Sequence, residues 1–290
     1  MPDAPQMIYV SGRMAAEREA TVSALDAGLL LGAGLFETLR TYGGKTFRLD
    51  RHLARLRASG EVLRVFLKES DAEIAAVIAQ LVEANGVPDA RVRITATRGP
   101  LTEEQADDKA PRATLIITAG PMTPYAAELY QRGCTVVVSD IRTNETDPVA
   151  FHKTTNYMRN LIALRDAHRA RATEALCFNS KNRLAEGSIS NVFLVSGGRL
   201  FTPPVEEGLL AGITRETVLE LAADEEVPAE QRPLGINDLL DAEEVFLTNS
   251  IMEVLPVGRI EQHEVGDGKP GPVTRQLAAA YKSLVARETK

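Results

Sequence analysis

Cysteine and histidine are scarce in this chain of 290 residues, with two of the first and four of the second. Cys134 and Cys177 each lie inside an apolar, strand-like run, and no Cys-x-x-Cys occurs. His52, His152, His168 and His263 are too scattered to form a zinc-ligand pattern. The reading is two buried free thiols in a reducing compartment rather than a disulfide scaffold. Long apolar runs are lacking too: the richest, over residues 24–36, includes Asp26 and is too short to span a bilayer. Met1-Pro2-Asp3-Ala4 has neither the basic start nor the apolar core of a signal peptide, so the cytoplasm is the expected location. Basic charge is in the minority, 33 Lys and Arg against 40 Asp and Glu, a net charge of −7. That argues against coating a nucleic acid or an anionic membrane, while a local basic pocket for one phosphate stays compatible. Internal repeats and low-complexity segments are absent.

What is there is a globular composition, 44% hydrophobic and 25% charged with 21 Gly and 15 Pro, at a length that suggests two domains. Hairpin signals open the chain, Met7–Val10 turning at Ser11-Gly12 and a second pair of strands bracketing Tyr42-Gly43-Gly44-Lys45. Asp50 precedes an amphipathic run with Leu53, Leu56, Val62 and Leu63 apolar, and a second helix fits Asp71–Asn85, stopped by Gly86-Val87-Pro88. Strands fit Arg91–Thr97 and Thr114–Thr118; the polar stretch Pro100–Pro111 between them reads as a mobile loop. Gly120-Pro121-Met122-Thr123-Pro124 reads as a linker, dividing the chain into 1–121 and 122–290. Beyond it, strands fit Cys134–Ser139, Ala175–Phe178, Asn191–Val195, Arg199–Phe201 and Val245–Thr248. Helices fit Asn156–Arg169, Thr214–Ala223 and Val273–Arg287. Regular strand–helix alternation is missing, so the fold class is α+β rather than doubly wound.

Gly32-Ala33-Gly34 suggests a nucleotide loop, but Glu37 stands where the third glycine belongs, and no Walker lysine pattern occurs. Gly28, Gly32 and Gly34 are better read as sites of close backbone packing. Gly212-Ile213-Thr214-Arg215-Glu216 opens a helix with Thr214 as a good cap, and free amides at such a start bind phosphate well. On local sequence alone an ordinary capped helix is the stronger reading. Thr248-Asn249-Ser250 follows a strand and offers hydroxyl, amide and backbone donors. Lys153 stands in an unusual setting, His152-Lys153-Thr154-Thr155-Asn156-Tyr157, and Glu186-Gly187-Ser188 puts a carboxylate at a turn before a strand. Taken alone, Lys153, Glu186, Arg51 and Arg98 have bland readings as surface or structural charges.

Taken together and in order, these segments resemble the class IV aminotransferases, the fold-type IV enzymes that use pyridoxal 5′-phosphate (PLP). The resemblance runs through Gly34–Arg40, Leu49–Leu56, the Lys153 segment, Ala185–Phe193, Gly212–Arg215 and Thr248–Val254, nearly the whole chain. It implies a two-domain α+β fold with a small N-terminal domain and a larger C-terminal one. It implies that Lys153 binds PLP covalently and shuttles a proton, a task suited to a lysine whose surroundings release its free amine. Glu186 would keep the pyridine nitrogen protonated, making the ring an electron sink. Arg51, the amides of Ile213 and Thr214, Ser250 and its neighbour Asn249 would hold the phosphate. Tyr157 sits where some relatives place a tyrosine near the cofactor's phenolic oxygen.

For the substrate, the resemblance implies an amino acid and a 2-oxo acid exchanging an amino group, with Arg98 on a substrate carboxylate. D-amino-acid aminotransferases carry a histidine two residues after that arginine and a tyrosine earlier; here Pro100 and Phe36 stand in those places. Thr38 and Thr248-Asn249-Ser250 look more like the 4-amino-4-deoxychorismate lyases, which release p-aminobenzoate and pyruvate. A third alternative is an idle PLP-binding protein, against which the set Lys153, Glu186 and Arg51 speaks. The family also implies a homodimer, with Pro100–Pro111 as a lid.

Overall fold

A computed structural model describes residues 6–101 and 113–290. The chain divides into two compact units. The first holds residues 1–123 with His152–Asn156 and Glu288–Lys290; the second holds Pro124–Phe151 and Tyr157–Arg287. The division is thus more interleaved than one cut near residue 122, because the Lys153 segment pairs with a strand of the first unit.

The first unit is a six-stranded antiparallel sheet in the order β2-β1-β6-β5-β3-β4, built from β1 (Met7–Val10), β2 (Arg13–Ala16), β3 (Gly34–Tyr42), β4 (Lys45–Thr46), β5 (Ala90–Thr97) and β6 (Thr114–Pro121). Both expected hairpins form. Short α1 (Ala27–Leu31) was not anticipated. It starts on Asp26, fully buried, whose carboxylate accepts from Gly28 N (2.8 Å) and from the hydroxyls of Thr97 (2.9 Å) and Thr114 (2.7 Å). Gly28 leaves the room that the Thr97 side chain occupies, since a Cβ there would collide with Thr97 Cγ2. α2 (Leu49–Leu63) begins one residue before Asp50, on Arg48 in a left-handed conformation, so Asp50 sits in the first turn instead of capping it. α3 (Asp71–Ala84) starts on a capping box of Ser70 and Glu73.

Strand alternation decides what faces what. Leu35 and Leu39 of β3, Val92, Ile94 and Ala96 of β5, and Leu115 and Ile117 of β6 join Leu53 and Leu56 of α2 and Ile74, Ile78 and Leu81 of α3 in one core. Glu37 points to the same side, fully buried. Its carboxylate takes two hydrogen bonds from Arg55 (2.8 and 2.7 Å) and meets His52 Nδ1 at 2.8 Å. The even-numbered residues Phe36, Thr38 and Arg40 therefore belong to the opposite face.

The second unit contains a nine-stranded mixed sheet. Its main path begins with β12 (Ala229–Gln231), β11 (Arg199–Thr202), β10 (Asn191–Ser196) and β13 (Glu244–Asn249). It continues through β14 (Glu253–Ile260), β7 (Cys134–Val138), β8 (Glu174–Phe178) and β9 (Leu184–Gly187). β15 (His263–Glu264) pairs with β14. Strands β9 and β14 escaped the sequence reading: Glu186 and Gly187 mask the first, and Pro256 and Gly258 the second. Helices α4 (Ala127–Arg132), α5 (Met158–Arg169), α6 (Ile213–Asp224), α7 (Ile236–Leu240) and α8 (Pro272–Glu288) complete the chain. β10 is buried on both faces over Asn191–Val195, with Val192 and Leu194 in the main core and Phe193 stacked on Phe246 at 4.9 Å. Both cysteines are free and buried, as expected; burial pushes each thiol up to about 12, helped at Cys177 by Glu186 and Glu174, so neither is reactive near neutrality. Among the described residues no helix is long and apolar enough to cross a membrane. Pro100 and Leu101 apart, the expected lid at Pro100–Pro111 lies outside the described residues.

The Glu37 cluster has a measurable consequence. Burial raises the Glu37 carboxyl, but the Arg55 charge and the hydrogen bonds from His52 and Arg55 outweigh it and hold it at about 2. A carboxyl lowered in the folded state stabilises above its unfolded pKa of ~4.3, and that contribution is lost as pH falls toward 2. Glu37→Gln is expected to unfold more easily by about 3 kcal/mol at pH 7, with the gap from the native chain closing between pH 4 and 2. Chemical denaturation across that range measures it.

Candidate active site

Lys153 reaches its position through backbone pairing. Residues 152–156 run extended beside β3: Phe36 N–H donates to Lys153 O at 2.8 Å, Thr155 N–H donates to Gly34 O at 2.8 Å, and Leu35 bridges Thr154. Thr155 Oγ1 adds a bond to Gly32 O (2.8 Å), and His152 Nδ1 meets Ser59 Oγ on α2 at 3.0 Å. Burial lowers the His152 pKa, which keeps its ring neutral near pH 7. The strap sets the Lys153 ammonium 4.6 Å from the centre of the Phe36 ring.

Phe36 is nearly fully buried, and its ring also carries the Arg93 guanidinium at 3.6 Å. At most about 8 Å therefore separates the Arg93 guanidinium from the Lys153 amine. Thr38 stands opposite Arg93 in the β3–β5 register and is half-buried. Phe36, Thr38, Arg93 and Lys153 thus share one neighbourhood. Arg93 was not singled out from the sequence; the signal was a charged residue alternating with Val92 and Ile94 on an otherwise core-facing strand. Arg98 lies one residue past β5, its backbone N–H bonded to Ala33 O at 2.9 Å. Arg51 sits in the first turn of α2, half-buried and next to His52 of the Glu37 cluster.

In the second unit Glu186 lies near the end of β9, opposite Cys177 of β8. Its Oε2 accepts from Leu210 N–H at 3.1 Å and from Asn191 Nδ2 at 3.4 Å, which orients a half-buried carboxylate. Tyr157 precedes α5, and its hydroxyl donates to Ser188 O at 3.3 Å, beside Asn160 Nδ2 at 2.7 Å. Helix α6 starts one residue earlier than read: Gly212 is the N-cap, without a side-chain bond, and Thr214 is inside the first turn and buried. The first amides of this 12-residue helix, including those of Ile213 and Thr214, consequently have no capping side chain, the condition for gripping an anion. Asn249 is committed to its own turn: its Oδ1 accepts from Ile251 and Met252 N–H, each at 2.8 Å, and its Nδ2 donates to Ile189 O at 3.0 Å. That turn presents Ser250. The sequence reading also missed Glu174, the buried carboxylate that opens β8.

Lys153 and Arg51 in the first unit, and Glu186, the uncapped start of α6 and Ser250 in the second, are residue types that suit the amine, ring-nitrogen and phosphate partners of PLP. Among the described residues no group of His, Cys, Asp and Glu is placed to hold a metal ion.

Known proteins share this fold. The amino-transferase class IV family matches residues 34–260. The chain is 33% identical over 277 residues to a protein of Methanocaldococcus jannaschii named "Putative branched-chain-amino-acid aminotransferase", covering 96% of each. It is 32% identical over 281 residues to the aminodeoxychorismate lyase of Bacillus subtilis, covering 96% of this chain and 94% of that one. Among solved structures, the branched-chain aminotransferase of the thermophilic archaeon Thermoproteus uzoniensis, with norvaline, superposes with a TM-score of 0.89 at 29% identity, covering 99% of this chain and 97% of that one. The chain belongs to the class IV aminotransferases, a family of PLP-dependent enzymes with the fold-type IV architecture.

Proposed function

We propose that the protein is a transaminase exchanging an amino group between an amino acid and a 2-oxo acid. The observation that carries this reading is the placement of Lys153 on the Phe36 ring with Arg93 on the same ring, an amine and a guanidinium packed on one aromatic side chain. Bound PLP supplies the electron sink that stabilises the charge left when a substrate Cα loses its proton. Lys153 would hold PLP and carry that proton on Nζ. Glu186 would keep a proton on the ring nitrogen. Arg51, the Ile213 and Thr214 amides and Ser250 would hold the phosphate, with Asn249 shaping the turn that carries Ser250. Tyr157 would serve the ring's phenolic oxygen.

For the substrate carboxylate, Arg93 is better supported than Arg98, because its guanidinium shares the Phe36 ring with the lysine while Phe36 closes the apolar side. The reading takes small or medium amino acids as donors, D-amino acids among them. Thr38, facing Arg93 in register, supports the lyase as a second reading, since the resemblance to the lyases implies a proton-transfer role for a threonine at this position. The same reading extends to a cytoplasmic homodimer. Two free thiols support the compartment, and the exposed Leu25, Leu29 and Leu31 around α1, 59%, 69% and 67% accessible, support a subunit contact.

With PLP and a panel of L- and D-amino donors, the native chain is expected to bleach its lysine-dependent visible band to the pyridoxamine form, and Lys153→Ala to show neither band nor turnover. No bleaching with any donor, together with p-aminobenzoate and pyruvate from 4-amino-4-deoxychorismate, establishes the lyase instead. Arg93→Gln is expected to raise KM for both the amino acid and the oxo acid roughly 10- to 100-fold, the loss of a charge-assisted bond, with PLP affinity unchanged. Light scattering is expected to give a dimer for the native chain and a monomer for Leu29→Glu/Leu31→Glu.

A further inference from the structure

Glu174 is the first residue of β8 and is fully buried, yet none of its hydrogen-bond donors carries a charge. Its carboxylate accepts from Ala175 N–H (2.8 Å), Ser188 N–H (3.1 Å), the Ser188 hydroxyl, Ile189 N–H (3.1 Å) and the Ser190 hydroxyl (2.9 Å). A buried carboxylate is costly unless its lone pairs are satisfied, and an apolar residue would fill the same space more cheaply. Burial raises its pKa, opposed by the bonds from Ser188, Ala175, Ser190 and Ile189. Four of the five donors come from one bend, Ser188–Ser190.

That bend joins Glu186 to Asn191, whose Nδ2 reaches Glu186 Oε2. With its amides and hydroxyls drawn inward to Glu174, its carbonyls are left to other partners. Ser188 O accepts from Tyr157 and Asn160, and Ile189 O accepts from Asn249. Gly187 completes the fit, because a Cβ there would collide with Ser190 Oγ. Two backbone bonds also hold the bend, Gly187 N–H to Ser190 O (2.6 Å) and Ser188 N–H to Ala175 O (2.9 Å); the Glu174 carboxylate adds four more to the bend to which Glu186, Tyr157 and the Asn249–Ser250 turn are all tied. We propose that Glu174 is a positioning residue for the cofactor, a buried clamp that sets the ring-nitrogen carboxylate and the Tyr157 and Ser250 groups through the Ser188–Ser190 bend. The proposal rests on the PLP reading of Lys153 and Glu186.

The test is titration of PLP into cofactor-stripped full-length protein, followed by the visible band of the lysine-bound cofactor and its pH dependence. Glu174→Gln places an amide donor against a cluster of donors. It is expected to weaken PLP binding about 10- to 100-fold and to move the pH midpoint of the band, while KM for the amino donor at saturating PLP stays within about twofold. Ser190→Ala, which removes one donor and keeps the carboxylate, is expected to weaken PLP binding about 3- to 10-fold and carries the test if Glu174→Gln does not fold. PLP affinity and pH midpoint unchanged in the folded variants, with only a lower melting temperature, would reduce Glu174 to a structural strut and overturn the proposal. Absence of any Lys153-dependent band in the native chain overturns the PLP reading itself and the clamp with it; a native band that persists unaltered in the variants overturns the clamp alone.

Discussion

A strap of two backbone hydrogen bonds, Phe36 N–H to Lys153 O and Thr155 N–H to Gly34 O, is the constraint on which the position of the Lys153 amine depends. Sheet pairing is directional and fixes register to one residue, so the strap sets which side chain of 152–156 meets Phe36. The strand it uses is itself held by its opposite face, where Leu35, Glu37 and Leu39 lock β3 onto the helices. A slip of one residue in β3 would bury Phe36 in the core and turn Glu37 away from Arg55. The buried ion pair and the placement of Lys153 are two faces of one register.

The second unit uses a different device for the same purpose. Strand β9 stops at Gly187, and the chain must bend before β10 begins. A buried carboxylate reinforces the backbone bonds there, gathering the amides and hydroxyls of the bend on one side. Its carbonyls and Glu186 are thereby left for partners on the other. The helix start at Gly212 differs by omission: where Ser70 closes its helix with a capping box, Gly212 offers no side chain and leaves the first amides without a side-chain cap.

Much of this was legible residue by residue. Hairpin turns at Ser11-Gly12 and Tyr42–Lys45 and the stop after Asn85 follow from local turn chemistry, and those elements form where read. Lys153, Glu186 and Arg51 stand out in the sequence because their motifs occur in family order. Arg93 and Glu174 were not, because each is a single charge inside a strand, and period-2 alternation assigns a face without naming what lies on it. Thr214 was misread as a cap because a favourable cap residue and a first-turn residue one position on are not separable by local propensity.

The sequence by itself determined the fold class, the family, and the residue types available for binding PLP, since hydrophobic periodicity, turn residues and ordered motifs are all local patterns. Only the tertiary structure decided that Lys153 lies on β3 within the first unit, that Arg93 shares its aromatic ring, and that Glu174 gathers the Ser188–Ser190 bend. Those are contacts between residues 14 to 117 positions apart, and distance along the chain carries no information about register until strands have paired.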